Sequence, residues 1–182
     1  IAFASEKLRA KRYAFSDQEV KQYFPETQVL PGMFDLVQRI YQIRIVEQKV
    51  EAWHADVRFF DIRSAAGELI GRFYVDLYAR ATKRGGAWMS TFRMQSRIGG
   101  GGTPVTPIIV NNNNFARGAP GEPTLLSFDD ARTLFHEFGH GLHQLLTRID
   151  TAGISGIQGV EGDAIELPSL FMENFCWEWD VL

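Results

Sequence analysis

The run His136-Glu137-Phe138-Gly139-His140 brings two imidazoles and a carboxylate into five residues. Histidines four apart share one face of a helix, so both rings can reach a single ion. Zinc suits such donors, because it accepts nitrogen ligands with little geometric demand of its own. A zinc ion with one open position lowers the pKa of a water there to about 7, and Glu137 stands next to the first histidine to take its proton. The chemistry implied is metal-assisted hydrolysis.

Two histidines do not complete such a site, which needs a third protein ligand. One class extends the pattern to H-E-x-x-H-x-x-G-x-x-H. Here His143 stands at the glycine position and Leu146 at the last histidine, which excludes that class. The alternative is an acidic residue further along, and spacing leaves five open: Glu161, Asp163, Glu166, Glu173 and Glu178. Glu166 and Glu173 are seven apart, so a helix covering both would carry a ligand and a supporting carboxylate on one face.

These residues need a rigid helix beneath them. Ser127 followed by Asp130 is a capping signature, and Asp129 and Asp130 suit the positive end of a helix dipole. Leu134, Phe138, Leu142, Leu145 and Ile149 recur at steps of three and four, so the spacing predicts one helix over Ser127 to Arg148. Gly139 and Gly141 weaken it by roughly 1 kcal/mol each against alanine, which implies close approach by another segment. Gly153, Gly156, Gly159 and Gly162 read as a mobile loop that folds the chain back, with Pro168 in the first turn of a final helix or at a kink within it. Phe171, Phe175, Trp177 and Trp179 are expected to pack that helix.

The stretch HEFGHGLHQLLTRIDTAGISG followed by DAIELPSLFMENFCWE resembles the thimet oligopeptidase family of zinc metallopeptidases. WHADVRFFDI, FYVDLYAR and KRGGAW upstream extend the resemblance over nearly the whole chain. The resemblance implies that His136, His140 and Glu166 bind one zinc ion and that Glu137 is the general base and acid. It implies supporting roles for Asp163 and Glu173, oligopeptide substrates, and no assignable substrate-binding residue within this stretch. Leu170, Phe175 and Glu161-Gly162 depart from the usual family residues. Family members are several times longer, so the expectation is a catalytic-region piece, weak or inactive without the rest of its parent chain.

The expected fold is α+β: a zincin-like region with a small, mostly antiparallel sheet packed with helices, its His-Glu-x-x-His helix followed by a glutamate-bearing helix. Residues 1–182 read as one region: helical support over 1–54, sheet over 55–115, zinc-binding helices over 116–182. Helices are predicted over Ser5 to Phe15, after the capping box Ser16 to Glu19, and from Pro31 to about Gln42. Val57 to Arg63 and Leu69 to Tyr78 predict a hairpin. Lys83 to Trp88 reads as a basic surface turn and Gly99 to Gly102 as a loop. Val105 to Val110, with Pro104 and Pro107, reads as an edge strand or one with an irregularity, and an edge strand could pair with an extended peptide. His54 reads as structural.

With 182 residues, 45% hydrophobic and 13% aromatic, the chain supports a folded core. A net charge of −3 gives no case for nucleic-acid binding, and no apolar run approaches the roughly 18 residues that span a bilayer. One cysteine, Cys176, forms no internal disulfide and reads as a buried thiol, consistent with a cytoplasmic location. Two rivals to the enzyme stand: a structural zinc site with His143 as fourth ligand, and a metal-free peptide-binding module.

Overall fold

The computed structural model describes residues 2–13, 16–98 and 101–181. Helices α1 (Ala2–Tyr13), α2 (Asp17–Lys21) and α3 (Glu26–Tyr41) precede strands β1 (Ile43–Gln48), β2 (Arg58–Ser64), β3 (Leu69–Tyr78), β4 (Trp88–Arg93) and β5 (Ile108–Phe115). Helices α4 (Phe128–Leu145) and α5 (Leu167–Asn174) and a 3₁₀ turn, Phe175–Trp177, follow. Lys7, Lys11 and Arg12 lie exposed on α1. The Arg9 side chain, the expected helix end at Ala14 and Phe15, and Gly99 and Gly100 of the glycine loop lie outside the described residues.

The capping box at Ser16 and Glu19 forms, and it starts α2. α3 begins at Glu26, five residues before the expected start, and contains Pro31. A proline inside a helix costs about 3 kcal/mol. Burial of Leu30, Met33, Phe34 and Val37 offsets it, at about 1.5–3 kcal/mol for each side chain. Gln42 then ends the helix in the left-handed region, at φ 54°.

The sheet has five strands in the order β1-β2-β3-β5-β4. Neighbours pair antiparallel except β3 and β5, which run parallel. The β2–β3 hairpin forms as its β-branched and aromatic residues predict. Two strands, β1 and β4, carry too weak an alternation to be read from the sequence. β5 corrects the expected edge strand in two ways. It runs through the asparagines to Phe115, and it lies between β3 and β4, so β4 takes the edge. Pro104 and Pro107 both precede its first residue and remove no donor from its ladder.

Lys83 corrects the surface-turn reading. Its side chain is 4% exposed, pairs with the Asp76 carboxylate at 3.1 Å, and donates to the carbonyls of Asp76, Tyr78 and Asn113. Arg80 and the Trp53 indole also donate to Asp76. Burial alone would raise the Asp76 pKa. The three donors outweigh it and hold the carboxyl at about 2. This cluster ties the C-terminal end of β3 to β5.

One face of the sheet packs on α3 and α4, with Phe73 against Phe34 and Phe138 at ring-centroid distances of 5.7 and 5.2 Å. Cys176 is buried, and burial pushes its thiol up to about 12. Phe175 packs against the core, but Phe171, Trp177 and Trp179 are exposed, as is Ile149 beyond the end of α4. Trp177 still meets Phe128 at a ring-centroid distance of 4.7 Å and Phe171 meets Phe175 at 5.2 Å, so the expected packing forms in part. His54 lies exposed and accepts the Asp56 N–H at 3.2 Å.

Between α4 and α5 the chain is stitched rather than free. Fully buried Gln144 accepts the Ile157 N–H at 3.1 Å, and Thr147 Oγ1 accepts the Gly156 N–H at 3.2 Å. Residues 161–164 beyond these bonds are exposed.

Candidate metal centre

α4 starts from a reciprocal cap. Ser127 Oγ accepts the Asp130 N–H at 3.0 Å, and the Asp130 carboxylate accepts the Ser127 N–H at 2.9 Å. Orphan donors at the helix start are thereby satisfied. Leu134, Phe138, Leu142 and Leu145 are buried, which leaves His136 and His140 together on a partly exposed face. Their ring centroids are 4.9 Å apart.

Glu166 arrives at the N-terminal end of α5. Its Oε2 lies 3.3 Å from His136 Nε2 and 3.1 Å from His140 Nε2. One ligand atom from each of the three residues lies within 4.8 Å of the others. A tetrahedral ion with ligands at about 2.0–2.1 Å separates its donors by about 3.3 Å, so the two measured nitrogen-to-oxygen separations match such an ion. Among the described residues the group has these three donors and no fourth. His143 points elsewhere: it lines a cleft of about 260 Å³ with Tyr41, Leu142, Leu146, Thr147 and Met172.

Supporting contacts fix two of the three donors, whereas His140 Nδ1 is buried without a hydrogen-bond partner. His136 Nδ1 lies 2.6 Å from Glu173 Oε1, so a proton on Nδ1 is held by the carboxylate and the Nε2 lone pair faces Glu166. Arg132 Nε lies 3.7 Å from the other oxygen of Glu173. Ser169 Oγ lies 2.8 Å from Glu166 Oε2 and 2.8 Å from the Glu166 carbonyl oxygen. The Ser169 hydrogen bond, followed by the two imidazoles, holds the Glu166 carboxyl below its usual range. Burial lowers the pKa of His140 against the opposing pull of Glu166, which favours the neutral ring that binds metal.

Glu137 is 9% exposed. Burial, with a smaller push from the Glu166 charge, raises its pKa, while His136 and the Met89 N–H oppose the rise. The Met89 contact joins α4 to β4. Asp163 lies exposed, three residues before Glu166, and is not a member of the three-donor group.

Residues 1–182 match peptidase family M3. The chain belongs to peptidase family M3. Among the relatives it is similar to, oligopeptidase A of Escherichia coli (strain K12) is 51% identical over 183 residues, covering 100% of this chain and 27% of that protein. Oligopeptidase A of Haemophilus influenzae is 49% identical over 183 residues, with the same coverage. The dipeptidyl carboxypeptidase of Escherichia coli is 38% identical over 176 residues, covering 96% of this chain and 25% of that protein. The M3 chain described here thus spans about a quarter of the length of its curated relatives.

Ser169, Arg132 and the Met89 N–H escaped the sequence reading. A signal existed for Ser169, three residues after Glu166 on the same helical face. None existed for Met89, whose role depends on how the sheet packs against α4.

Proposed function

We propose that this chain carries the catalytic centre of a zincin-like, zinc-dependent endopeptidase that hydrolyses internal bonds of short, unstructured oligopeptides. The convergence of two imidazole nitrogens and one carboxylate, with no fourth donor among the described residues, carries the reading. A closed structural zinc site takes four protein ligands, whereas a catalytic one takes three and keeps a position open.

In this reading His136, His140 and Glu166 hold one zinc ion per chain. The ion supplies Lewis acidity toward the scissile carbonyl and an attacking water. Glu137 accepts the water's proton and passes it to the leaving amine. Its raised pKa brings the carboxylate closer to the operating pH, which suits a group that must both take and give a proton. Glu173 orients His136, and Ser169 orients Glu166. A supporting role for Asp163 rests on family resemblance. The name oligopeptidase A supports oligopeptide substrates, and internal cleavage rests on the family resemblance.

No helix among the described residues is long and apolar enough to cross a membrane. A cytoplasmic location is supported by the single buried cysteine. The remaining length of such relatives is expected to complete the substrate channel, so the isolated 182 residues should turn over peptide weakly or not at all.

Metal analysis of protein purified without chelator should find about one zinc per chain, and none would favour a metal-free peptide-binding module. In a full-length protein containing this sequence, Glu137→Gln should keep the metal and lower kcat by about 10²–10⁴-fold. Unchanged kcat in that variant would assign the base elsewhere.

A further inference from the structure

The backbones of α4 and α5 come close at Gly139, beside the donors. A Cβ built on Gly139 would stand 2.6 Å from the Pro168 carbonyl oxygen and 2.6 Å from Ser169 Cα. Both are backbone atoms and cannot swing aside. Gly139 precedes His140, and Pro168 and Ser169 follow Glu166 within three residues. Ser169 is fully buried, and its hydroxyl lies 2.8 Å from the Glu166 oxygen that faces both imidazoles. Gly141 supplies a contrast on the same helix. A Cβ there would meet Ile109 Cδ1 at 2.5 Å, the far end of a flexible side chain on the sheet.

We propose that Gly139, acting with Ser169, sets the separation of the two donor-bearing helices and is thereby a positioning residue for metal binding. The inference rests on the zinc reading above. Ordinary Cβ contacts begin at 3.4 Å, so a methyl at position 139 requires α5 to withdraw by about 0.8 Å. Metal–donor distances tolerate about 0.2 Å. Glu166 therefore leaves bonding range of an ion held by the histidines, although both imidazoles stay in place. Gly141 has no such leverage, because Ile109 can adjust without moving α5.

The test measures zinc affinity by competition with a chromogenic chelator, on the whole chain, below the unfolding temperature of each variant. Gly139→Ala should weaken binding by at least about tenfold, as loss of a donor-supporting contact does. Gly141→Ala should lower the melting temperature and leave zinc affinity within about twofold of wild type. The double variant Gly139→Ala with Glu166→Ala should bind zinc as Glu166→Ala alone does, since the glycine acts through that carboxylate. A folded Gly139→Ala protein with wild-type affinity, or additive losses in the double variant, overturns the proposal. If Gly139→Ala does not fold in plain buffer, the same titration in a stabilising osmolyte decides: weakened binding supports the proposal and wild-type affinity overturns it. A wild-type chain that binds no zinc overturns the metal reading itself, and this inference with it.

Discussion

Glu173 lies 2.6 Å from His136 Nδ1, and Arg132 stands on its far side. A carboxylate in that place fixes which nitrogen carries the proton, and losing it typically lowers metal affinity 10–100-fold. Glu173→Gln should show a drop of that size in chelator competition while its circular dichroism stays unchanged. His136, Glu137 and His140 were legible in the sequence because a four-residue spacing has one geometric meaning on a helix. The third donor was not legible from spacing, which left five acids open; resemblance selected Glu166, and the geometry places that residue beside both imidazoles. Lys83 was misread because a Lys-Arg-Gly-Gly run has the composition of a surface turn. Its burial follows from an acid seven residues earlier and a carbonyl thirty residues later, and local composition reports neither.

At the level of elements, the hairpin and α4 were predictable because their patterns repeat over many residues. β5 was not. Asn111 to Asn114 has poor strand propensity, yet β3 and β4 pair with it from both sides, and tertiary pairing overrides propensity. The Asp76 cluster at that end of the sheet makes a pH prediction. Its carboxyl titrates at about 2 in the fold and near 3.8 when free, so the ionised form stabilises the native state. The contribution is about 2 kcal/mol, complete above about pH 4 and lost as pH falls toward 2. Urea unfolding of wild type and Asp76→Asn between pH 2 and 5 should show this acid dependence in wild type and a shallower one in the variant.

On the scale of the molecule, one sheet face covered by α3 and α4 accounts for the core, and the helix-and-sheet class was readable from alternating periodicities. The exposure of Phe171, Trp177 and Trp179 was not readable, because apolar residues signal a need for contact without naming the surface that meets it. An ion bound only by the folded chain stabilises it by mass action, by about 2.7 kcal/mol at a hundredfold excess over Kd. For a domain of this size that corresponds to a rise of roughly 5–10 °C in Tm. Calorimetry with and without zinc should show the rise, and excess chelator should reverse it.

The stitching at Gln144 and Thr147 ends before residues 161–164, which are exposed. A protease nick in that short tract would place both histidines on one polypeptide and Glu166 on another. The cation would then be a cross-link between two fragments that also share the core through Met172 and Cys176. Co-migration of the nicked halves with zinc, and their separation by chelator, would make this centre a reversible clasp.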